Sequence, residues 1–234
     1  MTSRARTTAL LPLLALLGLL APACARPAPS DAAARAVPPR KPAQVMSFHG
    51  ADWLERPGRA EEERPDLVLQ ALALHPGETV AEIGCGTGFY SRRLARAVAK
   101  GGRVYAEDIQ PEMIDLLKQY AARDGIDNIL PVLGSETDPK LPAGAMDWIF
   151  LADVYHEFQQ PRPMLAAIRR SLARGGRVAL VEYRKEGDTA AKIHPEHRMT
   201  VEQVLAEWTP AGFELVERRE DLPMQHLFIF RAAP

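Results

Sequence analysis

The residues best placed to do chemistry form a glycine-rich run, Glu82-Ile83-Gly84-Cys85-Gly86-Thr87-Gly88. It follows a β-prone stretch, 79–83, and leads into a stretch of helical periodicity, 89–98. Glycines at a strand-to-helix turn let the backbone bend sharply and approach a ligand with no Cβ in the way. Three alternate glycines exceed what a tight turn needs. A dinucleotide-binding fingerprint requires Gly-x-Gly-x-x-Gly, and Phe89 stands where its last glycine would be. The Glu82 carboxylate would also sit poorly beside a pyrophosphate. A ligand that carries a positive group and no phosphate fits better.

Further along, Asp153-Val154-Tyr155-His156-Glu157 groups two carboxylates, a phenol and an imidazole. His156 is the best general base among them by its ordinary pKa. The alternative is that Tyr155 and His156 pack and hydrogen-bond structurally. His194-Pro195-Glu196-His197 invites a metal reading, but Pro195 disrupts a helix and no cysteine accompanies the pair. No metal site is expected there; the run reads as a polar loop over the pocket. Cys85 reads as a small residue tolerated between glycines rather than a reactive thiol. Glu61-Glu62-Glu63-Arg64 reads as a solvated helix face. Trp53 with Arg56 and Arg59 has two readings: a lid over the ligand, or packing of Trp53 onto the core.

These groups need a scaffold, and the pattern after Pro65 supplies one. Strands are expected at 79–83, 103–108, 129–133, 147–151, 177–183, 213–219 and 226–231. Helices are expected at 66–74, 89–98, 111–123, 163–172 and 200–208. Pro111 opens its helix where a missing N–H costs nothing. Thr200 with Gln203 three residues on forms a capping box. Strands separated by helices imply an α/β fold with a mostly parallel, doubly covered sheet. Only Glu220 to Gln225 separates the last two strands, too few for a crossover helix, so that pair should be antiparallel.

The chain has 234 residues, 47% of them hydrophobic, which suffices for one packed domain without disulfides. Its two cysteines, Cys24 and Cys85, exclude a disulfide-built scaffold. Its 29 basic and 30 acidic residues are mixed along the chain. With no basic stripe, nucleic-acid binding is not expected.

The first 45 residues do not read as part of the fold. Arg4 and Arg6 precede an uncharged, Leu-rich stretch and then small residues, the pattern of a secretory signal over 1–23. Ala21-Pro22-Ala23 suits ordinary secretion. The same residues before Cys24 resemble a bacterial lipoprotein box, which would put a lipid anchor on Cys24. Residues 24–45 are rich in Ala, Pro and Arg, and read as a tether. The domain is expected over 46–234, with 46–65 as an N-terminal lid segment.

The glycine run, with an acidic residue before it and Asp108 20 residues past Gly88, resembles the first motifs of the class I S-adenosylmethionine-dependent methyltransferases. Leu130 to Glu136, Asp147-Trp148-Ile149-Phe150-Leu151 and Leu172-Ala173-Arg174-Gly175-Gly176-Arg177 resemble that family's later strands and turns. Exported bacterial methyltransferase-like proteins are a closer likeness, at the segment from Phe48 to Arg59, at Asp153 to Glu157 and at Gln225-His226-Leu227-Phe228. The resemblance implies a seven-stranded Rossmann-like sheet, with S-adenosylmethionine as cofactor. It also implies roles. Glu82 faces the methionine ammonium, and Gly84, Gly86 and Gly88 lie under the methionine and ribose. Asp108 holds the ribose, Ile109 packs on the adenine, and Ser135 or Glu136 meets the adenine edge. Asp153 lines the methionine end, and Asp153, Tyr155 and His156 come near the reacting methyl. The methyl acceptor is expected to be a small or lipid-like molecule. The cofactor is made inside the cell while the leader sends the chain out, so a second class stays open: an exported, non-catalytic binding protein on the same fold.

Overall fold

The computed structural model describes residues 1–2 and 40–234. Residues 3–39, which hold nearly all of the signal segment, Cys24 and the greater part of the expected tether, therefore lie outside the described residues. Among those described, no helix is long and apolar enough to cross a membrane.

Seven strands form one sheet: β1 (Thr79–Ile83), β2 (Arg103–Asp108), β3 (Ile129–Leu133), β4 (Met146–Ala152), β5 (Leu172–Tyr183), β6 (Phe213–Arg219) and β7 (Gln225–Ala232). Their order is β3-β2-β1-β4-β5-β7-β6. The first five run parallel, and β7 runs antiparallel to both of its neighbours. Strand β7 thus slots between β5 and β6, as the short link before it requires.

Side chains alternate along the central strands, and both faces are apolar. Ile149 and Leu151 of β4 and Phe228 and Phe230 of β7 join one core, which includes Trp208. Their neighbours Trp148, Phe150, Leu227 and Ile229 join the other. A sheet buried on both sides needs such near-continuous apolar runs. The first face is covered by α6 (Pro161–Ser171) and α7 (Val201–Trp208), the second by α3 (Pro65–Leu72) and α4 (Ser91–Ala97). Helix α5 (Pro111–Arg123) places Ile114 and Leu117 against Cys85 and Ala106. The Thr200–Gln203 capping box is formed at α7.

Two short helices, α1 (Ala51–Leu54) and α2 (Arg59–Glu63), occupy the lid segment. The folded unit also reaches back past Met46. Ala43 is buried and its N–H donates to the His156 carbonyl at 2.9 Å, while the Arg40 guanidinium donates to the same carbonyl at 2.8 Å. Strand β5 starts earlier than the pattern predicts, at Leu172, which pairs with Met146 ahead of a register shift. A Cβ on Gly176 would lie 2.6 Å from the Met146 carbonyl oxygen, so only glycine lets the two backbones approach this closely.

Strands β1 and β4 lie side by side, although β2 and β3 come between them in the chain. This is where the strand order reverses, and open α/β sheets bind ligands outside the carboxyl ends of the strands at such a point.

Candidate functional site

A cavity of about 670 Å³ opens there, within the usual range for small-molecule sites. Its floor is the carboxyl edge of β1, β2 and β4: Glu82 and Gly84, Glu107 and Asp108, Asp153 and Val154. Residues 43–48 cross above it. Besides the Ala43 bond to His156, Met46 N–H donates to Glu157 Oε1 at 3.1 Å, and the Gln110 amide binds both the Met46 carbonyl and Phe48 N–H at 2.9 Å.

The glycine loop is built around carboxylates. Cys85 N–H donates to the Glu107 carbonyl at 2.8 Å and Gly86 N–H to Asp108 Oδ2 at 2.9 Å. Gly84 and Gly86 line the cavity with positive φ. A Cβ on Gly84 would run into Val154, and one on Gly86 would meet Leu54 at 2.6 Å. Gly88, expected under the ligand, does not line the cavity. Its missing Cβ makes room for Leu117 of α5, so its role is to seat that helix. Cys85 is buried, and burial pushes its thiol pKa up, which suits a space-saving residue.

Asp108 is held at both oxygens, since Oδ1 also accepts from Gln110 N–H at 2.9 Å. Ile109, Ser135 and Glu136 line the same end of the cavity. Glu82 accepts a hydrogen bond from the Ser91 hydroxyl. Burial raises its pKa to about 8, against the opposing pull of Ser91 and Arg59. Asp153 takes a left-handed backbone conformation, φ 52°, strained for a residue with a Cβ. Its Oδ2 accepts from the Gln225 amide at 3.2 Å, while its buried Oδ1 has no partner among the described residues. Burial and the charges of Glu63 and Glu182 push its pKa well up. Asp153, with one buried oxygen unpaired, and Glu82, whose charge burial penalises, thus face a cavity that a cationic ligand would complete.

His156 and Tyr155 part company. His156 lines the cavity, and Tyr155 does not. Tyr155, expected near the chemistry, is wholly buried against Trp208, ring centroids 5.3 Å apart, and donates to Glu207 at 2.6 Å. The 3₁₀ turn Tyr155–Glu157 aims adjacent side chains in opposite directions. The His156 ring lies with Nδ1 2.7 Å from Glu182 Oε2 and Nε2 3.0 Å from His197 Nδ1. Burial works to lower the His156 pKa, and the Glu182 charge and hydrogen bond more than offset it.

Sequence reasoning missed Glu63, Glu182 and Tyr183. The Glu61–Glu63 run is not uniformly solvated. Glu63 is buried, pairs with Arg56 and Arg59 at 3.0 Å, and accepts from the Tyr183 hydroxyl at 3.3 Å. Trp53 is 52% exposed and lines the cavity with the Arg56 guanidinium 3.9 Å above its ring, so it does not pack into the core. Glu182 had a readable signal: a carboxylate directly after the apolar run Val178–Val181, near the carboxyl end of β5.

The strand order, the cavity at its reversal and the acidic, glycine-lined floor define a Rossmann-like protein that binds a cationic small molecule. A family model for the Methyltransferase domain matches residues 80–176. Aklanonic acid methyltransferase DauC of Streptomyces sp. (strain C5) is 31% identical over 157 residues, 62% of this chain and 71% of that one. A SAM-dependent methyltransferase from Aquifex aeolicus, of known crystal structure, superposes with a TM-score of 0.72 at 26% identity, covering 80% of this chain and 98% of that one. The chain belongs to the class I S-adenosylmethionine-dependent methyltransferases, and its cofactor is S-adenosylmethionine. Protein-L-isoaspartate O-methyltransferase of Aeropyrum pernix is 31% identical over 117 residues, 48% of this chain. The chain spans 42%, 33% and 40% of the length of the first three curated relatives it matches.

Proposed function

We propose that this chain transfers a methyl group from S-adenosylmethionine to a small or lipid-like acceptor that enters beside His156. One observation carries the reading: a single cavity joins the Asp108 end, suited to a nucleoside, to the His156 end, where an acceptor has room. In this reading Asp108 accepts from the ribose hydroxyls, Ile109 packs on the adenine, and Ser135 and Glu136 meet its edge. Gly84 and Gly86 give the backbone its close approach. Glu82 and Asp153 receive the ammonium. Bound cofactor supplies a methyl on a sulfonium, already activated for in-line displacement. What remains for the protein is to align the acceptor, exclude water and take up a proton where the acceptor carries one. Residues 43–48 and Trp53 close the site, and His156, fixed by Glu182, is the group nearest the acceptor.

Titration calorimetry with S-adenosylmethionine and with NAD tests the cofactor assignment. Only the first should bind. Glu82 is largely protonated at pH 7, and a bound ammonium lowers its pKa. Binding at pH 7 should therefore release protons into the buffer, and affinity should rise between pH 6 and pH 7, below the range in which the ligand's own amino group titrates. Binding of NAD, or affinity and proton release that do not change with pH, would contradict the assignment.

The leader pattern supports the further proposal that the enzyme works in the cell envelope, anchored through lipid on Cys24. The mature chain should then begin at Cys24 and enter the detergent phase. A processed chain that stays in the aqueous phase would mean ordinary secretion, and a full-length cytosolic chain would defeat export.

A further inference from the structure

The His156 end of the cavity holds a cluster that the sequence scatters. His156 and Glu157 come from the turn after β4. His197 comes from a second 3₁₀ turn, Pro195–His197, in the segment between β5 and α7. One ligand atom from each lies within 4.8 Å of the others. We propose that His156, His197 and Glu157 bind one divalent transition-metal ion of the zinc type, with an open coordination position facing the cavity.

The geometry supports this in four ways. First, Glu182 is fully buried and grips His156 twice, accepting from its backbone N–H at 3.2 Å and from Nδ1–H at 2.7 Å. That fixes the ring and leaves Nε2 as the cavity-side nitrogen. A carboxylate behind a histidine is the usual outer support of a metal ligand. Second, the two rings stand nearly perpendicular, 87°, with Nε2 of one 3.0 Å from Nδ1 of the other. Two nitrogens on a tetrahedral ion at 2.0–2.1 Å would sit roughly 3.3 Å apart, so the spacing is already close to that of a ligand pair, and the ion replaces the proton shared between the rings as they turn toward it. Third, Glu157 is anchored through Oε1 to Met46 N–H, which leaves Oε2 for the ion. Fourth, all three residues line the cavity, so the remaining position is open to water or to an acceptor atom.

Two imidazoles and one carboxylate suit zinc or a neighbouring transition ion, whereas magnesium and calcium favour all-oxygen sets. The pairing also explains why the local His194–His197 spacing was the wrong place to look. His197 finds its partner 41 residues earlier in the chain, at His156. The binding site stands without the methyl-transfer reading, but its use rests on that reading. A metal-bound hydroxyl of the acceptor would pass its proton to water in the cavity and attack as the alkoxide, forming the O–CH3 bond as the S–CH3 bond breaks and S-adenosylhomocysteine leaves.

The test is direct binding. Full-length protein is stripped with chelator, dialysed, and titrated with zinc by calorimetry and with cobalt(II) by visible absorption. One equivalent should bind, and cobalt should give the intense visible bands of a low-coordinate site. His197→Ala, on a partly exposed turn, should weaken zinc binding by about a hundredfold or more, and Glu182→Gln by about ten- to a hundredfold. His194→Ala should bind zinc as the parent does. S-adenosylmethionine affinity, measured in the same His197→Ala protein, should stay near the parent value, which separates failure of the metal site from failure of the cofactor assignment. Absence of stoichiometric zinc binding, or binding that His197→Ala leaves unchanged, would overturn the proposal even if His156→Ala does not fold.

Discussion

Asp108→Ala lowers affinity for S-adenosylmethionine by about a hundredfold or more, because two hydrogen bonds to a charged acceptor disappear, each worth about 1.5–3 kcal/mol. The structure adds a second consequence. Asp108 accepts from Gly86 and Gln110 N–H at 2.9 Å each, so alanine also leaves two backbone donors of the ligand loop without their acceptor. Asp108→Asn separates the two effects. Its side-chain oxygen can still accept one of those bonds, while the charge is gone. Calorimetry on both variants, with circular dichroism to confirm folding, should rank affinity as parent, Asn, Ala. A folded Asp108→Ala protein with parental affinity would remove Asp108 from the cofactor site.

Turnover in His156→Ala falls by about 10²–10⁴, the usual worth of a positioned acid–base group, while cofactor affinity stays close to the parent value. The same loss follows if His156 acts by holding a metal, and the zinc titration distinguishes the two routes. Tyr155→Phe is the matched control one residue away. Its hydroxyl donates to Glu207 at 2.6 Å outside the cavity, so its loss should cost about 1.5–3 kcal/mol of stability and leave turnover unchanged. The measurement is single-turnover methyl transfer to an acceptor found by screening envelope extracts for cofactor consumption, paired with thermal melts. Parental turnover in a folded His156→Ala protein would make His156 a packing residue. A turnover loss in Tyr155→Phe would show that the turn does not separate the two side chains in solution.

The framework was legible in the chain because it rests on local rules. Alternating apolar residues marked both faces of β4 and β7, and Thr200 with Gln203 marked the start of α7. Five residues between β6 and β7 are too few for a crossover, which settled their antiparallel pairing. The glycine loop and Asp108 were legible for the same reason. A strand-to-helix turn against a ligand needs glycine, and the distance along the chain from that turn to the end of β2 spans a helix.

Three things were beyond sequence. Side-chain direction within the 155–157 turn decided that His156 faces the cavity while Tyr155 faces the core, and adjacent residues carry no periodicity that could say so. The packing of residues 40–63 left no local signal because it comes from contacts with distant groups: Arg40 and Ala43 on the His156 carbonyl, Glu63 on Tyr183. The His156–Glu157–His197 cluster with Glu182 behind it exists only where β4 and β5 lie side by side and the loop after β5 folds back over them. By itself the sequence determined which elements form and which ligand chemistry the glycine loop favours, since both follow from neighbours along the chain. Only the tertiary structure decided which polar groups meet at the far end of the cavity, because the free energy of burying and pairing them is set by residues that approach one another after the sheet has formed.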